Sequence, residues 1–232
     1  MQAKDFGTLY IVSTPIGNPG DLTLRALEVL KMADALICEE RKEGAKFLKS
    51  VDIQKPIVEL NEHNEAEMIQ SILLRLMNGE NLALISDCGT PVFNDPGRQL
   101  LDLLYSSKVP VIPVPGASSL MAAISVCPFN LGQFHFAGFL PPKTEQRAAV
   151  LAKLAASPNP VILMDTPYRL SKLLDEVSKA FGRQQQVFLA ADLTMPSEKL
   201  LLGEVQAVAA QVQNRKLEFI LIIDKPQRRR QA

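Results

Sequence analysis

Leu82-Ala-Leu-Ile-Ser-Asp-Cys-Gly-Thr-Pro-Val-Phe-Asn-Asp-Pro-Gly97 is the stretch that decides the fold. The apolar run from Leu82 to Ile85 reads as a buried strand that stops at Ser86. The eleven residues from Asp87 to Gly97 then hold two Gly, two Pro and two Asp before a helical pattern starts at Arg98. A connection that only reverses the chain in an α/β unit takes roughly two to six residues, so a longer one with fixed turn chemistry marks a site more often than a spacer. Its position also fits a site. Beyond the carboxyl end of a strand and before a helix N-terminus is where α/β sheets place ligands. The alternative is a stiff structural loop.

Upstream, Thr8 to Val12 is a β-rich run that ends in Ser13-Thr-Pro-Ile-Gly-Asn-Pro-Gly20, which cannot be regular structure. Asp21 or Thr23 can cap the next helix, with Leu24, Leu27 and Leu30 at helical spacing, and Ala35 to Cys38 reads as a second buried strand ending in Glu39-Glu40-Arg41. A short helix near Ala45 to Leu48 follows, then a strand from Ile57 to Leu60. Asn64 is expected to cap a helix carrying Ile69, Ile72, Leu73 and Leu76. Downstream come a helix around Leu100 to Leu104 and the run Val109 to Gly116. This alternation specifies parallel βαβ units, with the loops at Ser13–Gly20, Glu39–Arg41 and Ser86–Gly97 on one edge.

Val114-Pro-Gly-Ala-Ser118 reads as a hinge between an N-terminal α/β domain, residues 1–115, and a C-terminal one, residues 116–232. In the second half the pattern gives a helix from Ser118 to Ser125, a strand from Phe134 to Ala137, a loop from Gly138 to Lys143 and a helix from Gln146 to Ala155. A strand from Val161 to Met164 and the loop Asp165-Thr-Pro-Tyr168 follow. Leu170, Leu173, Leu174, Val177 and Phe181 form a regular buried stripe. Val187 to Ala190 and Phe219 to Ile223 add strands, and Leu200 to Leu202 is a candidate for another. Pro196 and the short runs point to a mixed sheet.

With 232 residues, 47% apolar and 22% charged, the chain has the composition of an ordinary globular protein. Its 25 basic and 25 acidic residues cancel, and a pI near 6.7 argues against a dedicated nucleic-acid coat. No run of eighteen apolar residues and no signal-peptide core are present, so a cytoplasmic protein is expected. Cys38, Cys88 and Cys127 are far apart and read as small buried hydrophobes. His63 and His135 are isolated, so neither a metal site nor a Ser/His/Asp triad is expected. The Gly17–Gly20 and Cys88–Pro91 turns match neither GxxxxGK[ST] nor GxGxxG, which excludes P-loop and Rossmann readings.

Five motifs in order carry a resemblance: Tyr10-Ile-Val-Ser-Thr-Pro-Ile-Gly-Asn18, Asp21-Leu-Thr-Leu-Arg-Ala26, Leu84 to Pro91 with Asp95-Pro-Gly97, Pro113-Val-Pro-Gly-Ala-Ser118, and Gly138-Phe-Leu-Pro141. Together they resemble the tetrapyrrole methylase family of S-adenosylmethionine-dependent methyltransferases. Within it they are most similar to the branch that methylates a cytidine ribose 2′-hydroxyl in small-subunit ribosomal RNA. The resemblance implies a two-domain α/β homodimer that holds S-adenosylmethionine between its domains, uses no metal, and acts on ribosomal RNA or the small ribosomal subunit. It places the cofactor against Asp87, Gly89, Thr90 and Pro91, against Pro115, Gly116, Ala117 and Ser118, and against Gly138, Phe139 and Leu140. An Asx cap is the other reading of Asp87, and ordinary core the other reading of Phe139.

The chain departs from that branch in its acceptor loops. Where the branch reads Glu-Asp-Thr-Arg-His-Thr, this chain has Glu39-Glu-Arg-Lys-Glu-Gly44, and Glu-Ser-Pro-His-Arg is Asp165-Thr-Pro-Tyr-Arg169. Arg-Glu-Leu-Thr-Lys is Ala191-Asp-Leu-Thr-Met195, and Gly-Glu-Phe is Leu217-Glu-Phe219. Methyl transfer needs alignment of acceptor, methyl and sulfur, worth about 7–11 kcal/mol, and a base for a weakly nucleophilic hydroxyl. Glu39 or Glu40 is expected to be the base or to position the acceptor, Arg25, Arg41 and Lys143 are expected to neutralise substrate phosphates, and Arg169 is a further expected substrate contact. The other reading of Glu40 to Glu43 is a solvated charged turn. Tyr168 and Phe134 are candidates to stack on an unpaired base, although lone aromatics are more often core. Arg228-Arg-Arg230 is either an RNA contact or a solvated tail. A tetrapyrrole or other small acceptor, and a non-catalytic cofactor- or RNA-binding module, are the alternative readings.

Overall fold

The computed structural model describes residues 6–93 and 95–225; Arg228 to Arg230 lie outside them. The chain divides into two compact units, Met1–Ser118 and Ser119–Ala232. The division falls three residues after the boundary expected at 115.

The first unit is built on five parallel strands, β1 (Leu9–Val12), β2 (Ala35–Cys38), β3 (Ile57–Glu59), β4 (Leu82–Ile85) and β5 (Val111–Val114), in the order β3-β2-β4-β1-β5. Each pairing is parallel. β2 and β4 are buried along their whole length, as a parallel sheet covered on both faces requires. Residues alternate between the faces. Leu9, Ile37, Leu82 and Leu84 pack with α3 (Glu65–Met77) and α4 (Arg98–Ser106) through Ile72, Leu76, Leu100 and Leu104. Val12, Leu36, Ala83 and Ile85 pack with α1 (Leu24–Met32) and α2 (Arg41–Ser50) through Ala26, Leu30 and Leu48. The connection after β2 therefore goes to one face and that after β4 to the other, which opens a crevice between adjacent strand ends.

Thr23 caps α1, its hydroxyl accepting from Ala26 N at 3.1 Å. Asn64 precedes α3 but does not cap it through its side chain. Its amide instead accepts from Asn61 N at 2.8 Å and donates to the Glu59 carbonyl at 3.1 Å. Those two bonds satisfy the loop before the helix rather than the helix itself.

The second unit opens with α5 (Ser119–Val126) and carries a mixed sheet in the order β6-β7-β10-β8-β9. Its strands are β6 (His135–Phe139), β7 (Val161–Asp165), β8 (Gln186–Ala191), β9 (Lys199–Glu204) and β10 (Phe219–Ile223). Only β6 and β7 run parallel. α6 (Thr144–Ala155), α7 (Leu170–Phe181) and α8 (Val205–Gln211) supply Leu151, Leu173, Leu174, Val177 and Val208 to one face. Leu120, Ala123 and Ile124 of α5 cover the other.

The expected loop from Gly138 begins too early. Gly138 and Phe139 belong to β6, which absorbs the glycine as an irregularity in its register with β7, at φ +59°.

Candidate functional site

Because the first sheet is parallel, the connections after β1, β2, β4 and β5 emerge on one edge. Three of them are stitched together. Thr14 N–H donates to the Gly89 carbonyl at 2.9 Å, and its hydroxyl reaches the Ser86 carbonyl at 3.1 Å. The hydroxyls of Ser13 and Thr90 stand 3.2 Å apart, and that of Thr90 donates to the Ala117 carbonyl at 3.2 Å. A Cβ on Gly116 would lie 2.9 Å from Ser13 Cβ, so only glycine lets the post-β5 chain approach this closely. Gly89 turns at φ +83°. Val92, β-branched and at φ +69°, is a strained residue in the same loop.

The far end of that loop is fixed by a residue that carries no motif. The Glu65 carboxylate on α3 accepts from Gly97 N at 2.9 Å and Gln99 N at 3.2 Å, so it caps α4 from outside.

Acidic side chains gather where β2 and β4 end. Ile37, Cys38, Glu39, Leu60, Leu84, Ile85, Ser86, Asp95 and Pro96 line a narrow cleft there. Beside it an open groove of about 690 Å³ is bordered by Glu39 to Lys42, Glu59 and Asn61 to His63. Glu39 is half-buried, and its carboxyl is raised above the ordinary carboxylate range by burial first, then by Asp87, Asp95, Glu40 and Glu62. Asp87 is exposed as a residue, yet its carboxyl too is raised, by partial desolvation and then by Glu40, Glu43 and Asp95. Burial pushes the Cys38 thiol up to about 11, with Asp87 and Glu59 adding to the shift.

Glu39, Glu40 and Arg41 have different surroundings. Glu39 alone is partly withdrawn from solvent. Glu40 is the exposed residue preceding α2, and Arg41 donates to the Ile57 carbonyl at 2.9 Å, which ties it to β3. Arg25 is exposed on the first turn of α1. Cys88, expected to be buried, is exposed in the loop after β4, where turn chemistry rather than packing decides placement.

In the second unit, the Asp165 carboxylate at the end of β7 is withdrawn from solvent and holds Arg169 through Nε and Nη2, both at 2.7 Å. Lys143 is exposed at the start of α6. Leu140 is buried in the core, so it has only backbone to offer a ligand. Phe139, Phe134 and Tyr168 are not core: they are 48%, 38% and 77% exposed. Arg147 was not singled out by any pattern. It is 1% exposed and donates to both Glu176 oxygens at 2.5 and 2.7 Å and to the Pro141 and Pro142 carbonyls at 2.9 and 2.8 Å, fixing the turn after Leu140.

Among the described residues, no group of three His, Cys, Asp or Glu side chains could hold a metal ion, and no helix is long and apolar enough to cross a membrane. The model for tetrapyrrole (corrin/porphyrin) methylases matches residues 8–209. The chain belongs to the tetrapyrrole methylase family. Among curated members it is 38% identical to ribosomal RNA small subunit methyltransferase I of Xylella fastidiosa, over 94% of this chain and 81% of that one. The protein of the same name from Escherichia coli O157:H7 is 35% identical, over 94% and 78%. Uroporphyrin-III C-methyltransferase of Thermus thermophilus, solved with S-adenosylhomocysteine, superposes with a TM-score of 0.65 at 19% identity, over 94% of this chain and 97% of that one. A cobalt precorrin-4 methyltransferase gives 0.68 at 19% identity, over 94% of each chain. At these identities the structures establish the fold. Membership of the family makes the chain an S-adenosylmethionine-dependent methyltransferase.

Proposed function

We propose that this methyltransferase acts on small-subunit ribosomal RNA, at a ribose 2′-hydroxyl. The observation that carries this reading is identity of 35–38% across 94% of the chain to methyltransferases named for that RNA.

The first unit's edge suits the cofactor. Its interlocked backbone at Gly89–Pro91 and Pro115–Ser118 leaves no room for a Cβ at Gly116, and the surrounding carboxylates favour a cationic ligand. Asp87, Gly89, Thr90, Pro91, Pro115, Gly116, Ala117 and Ser118 are the proposed cofactor residues, with Gly138, exposed Phe139 and the Leu140 backbone in the second unit. When bound, S-adenosylmethionine supplies a methyl group already activated on a sulfonium. Glu39 takes the hydroxyl proton. A carboxyl raised toward neutrality by burial and like charge is a better base there than an ordinary one, and such a base contributes roughly 10²–10⁴-fold. Glu40 and Arg41 shape the groove beside it, and Arg25, Lys143 and Arg169 meet phosphates. A homodimer is proposed on the exposed Leu200 and Leu202 of edge strand β9, to be checked by light scattering on the double glutamate variant. A cytoplasmic location is proposed with the ribosomal acceptor.

The test supplies labelled S-adenosylmethionine to the protein with unmethylated small ribosomal subunits, protein-free ribosomal RNA, or a porphyrinogen. Label in the subunits or RNA is expected; label in the porphyrinogen alone would replace this reading.

A further inference from the structure

The strand ends that carry Glu39, Asp87 and Asp95 form an acidic edge, which repels a polyanion. Beyond the proposed Arg25 contact, further cationic and aromatic groups suited to RNA are gathered at one edge of the second sheet. Asp165 on β7 lies in register with Phe219 on β10, and Phe219 with Ala191 on β8, so three turns meet there: 165–169, 191–198 and 216–218. Asp192 fastens two of them. Its N–H donates to the Glu218 carbonyl at 2.8 Å, and its carboxylate accepts from Glu218 N at 3.0 Å and from the Ser197 hydroxyl at 2.9 Å. Asp192 and Thr194 both hold φ above zero, at 48° and 66°, in this one connection. Asp192 and Glu198 are thus turned to local donors, Glu198 accepting from Thr194 N at 2.7 Å, while the Glu218 carboxyl beside them is raised by burial and by Asp192.

Lys216 and the Tyr168 ring are exposed beside them. Tyr168 stands on a short 3₁₀ turn led by Pro167, 77% exposed, and Lys216 Nζ lies 4.6 Å from its ring centroid. Arg169 next to it is gripped by Asp165 through Nε and Nη2, which fixes its guanidinium while leaving Nη1 without a partner among the described residues. An exposed ring with a lysine ammonium over it and an arginine next in sequence matches an unpaired nucleotide: the base stacks on the ring and the flanking phosphates meet the charges.

We infer that Tyr168, with Lys216 and Arg169, forms a stacking platform for an unpaired nucleotide of the RNA acceptor, held in place by Asp165 and Asp192. The inference rests on the ribosomal RNA reading above and names a specificity subsite within it.

The experiment measures binding of a short single-stranded RNA from the acceptor region by fluorescence anisotropy at several salt concentrations, alongside methylation of small subunits by the same preparations. Tyr168→Ala is expected to weaken RNA binding roughly ten- to a hundredfold, and Tyr168→Phe to keep it, because stacking needs the ring and not the hydroxyl. Lys216→Gln is expected to lower the slope of log affinity against log salt by about one. The Tyr168→Ala penalty should vanish on an RNA series in which one nucleotide is made abasic, at the position that stacks; a merely structural role for the ring would leave it in place throughout. If wild type methylates the subunits and Tyr168→Ala binds RNA within twofold of it, the platform is refuted while the functional reading stands. Displacement of the RNA by polyglutamate at equal charge concentration would likewise refute it, in favour of a simple ionic patch for acidic protein. If wild type neither binds RNA nor methylates subunits, both fall.

Discussion

Replacing Arg147 by methionine removes the cation from a site only 1% exposed to solvent. Five hydrogen bonds go: two to Glu176, at 2.5 and 2.7 Å, one each to the Pro141 and Pro142 carbonyls, at 2.9 and 2.8 Å, and one to the Thr144 hydroxyl at 3.4 Å. Charge-assisted bonds counted singly would sum to more than the pair is worth, since the ions were desolvated to make them. The relevant figure is that for breaking a buried pair from one side, about 3–5 kcal/mol. Urea denaturation should show that loss as a lower midpoint with unchanged slope. Arg147→Met/Glu176→Leu, which removes both charges, should recover about half of it, the two carbonyls remaining without their donor. pH gives an independent readout. The hydrogen bond from Arg147, and then its charge, hold the Glu176 carboxyl below its ordinary 4.5. Its contribution is therefore complete above 4.5 and fades as pH falls through the lowered value, and that acid-side loss should be missing in Arg147→Met. A cost under about 1 kcal/mol, with the acid-side slope intact, would refute the structural role assigned to this pair.

Three further perturbations test the first unit. Glu39→Gln should lower kcat roughly 10²–10⁴-fold with little change in KM, and turnover within twofold of wild type would remove Glu39 as the base. The same variant should be more resistant to urea at neutral pH: a carboxyl raised above 4.5 in the folded state binds protons more tightly than in the unfolded chain, so its contribution to stability falls as pH rises from 4.5 through the raised value. Gly116→Ala, whose Cβ would meet Ser13 Cβ at 2.9 Å, should cost about 1–3 kcal/mol and weaken cofactor binding by calorimetry, with Ser13→Gly in the same chain restoring both. Glu65→Ala leaves Gly97 N and Gln99 N without their acceptor and should cost about 1–3 kcal/mol in thermal unfolding.

The parts of this molecule governed by local chemistry were legible in the sequence. β4 and its loop follow from an apolar run meeting a cluster of Gly, Pro and Asp, and the parallel sheet follows from strands alternating with helices. The same rules misplace Gly138 and Phe139, because a glycine that ends a strand and one that bulges inside it look alike until the neighbouring strand supplies a register. Long-range electrostatics leave no local trace. Arg147 resembles any arginine on a helix until Glu176, 29 residues on, is brought against it, and Glu65 resembles any acid in a first helical turn until Gly97 arrives. Of the site, the acids at the end of β2 were legible as a group. What was not legible is that burial and neighbours single out Glu39 while Arg41 is drawn away to the Ile57 carbonyl. Exposure of lone aromatics is likewise set by tertiary packing, which is why Tyr168 stands in solvent.

Mass spectrometry of nucleosides released from small-subunit RNA, after incubation with this enzyme and methyl-labelled S-adenosylmethionine, tests ribose methylation most directly. Transfer to a 2′-hydroxyl predicts one labelled nucleoside whose extra mass stays with the sugar when the glycosidic bond is cleaved. Label that leaves with the base, or RNA that stays unlabelled while a porphyrinogen takes up the methyl group, would contradict it.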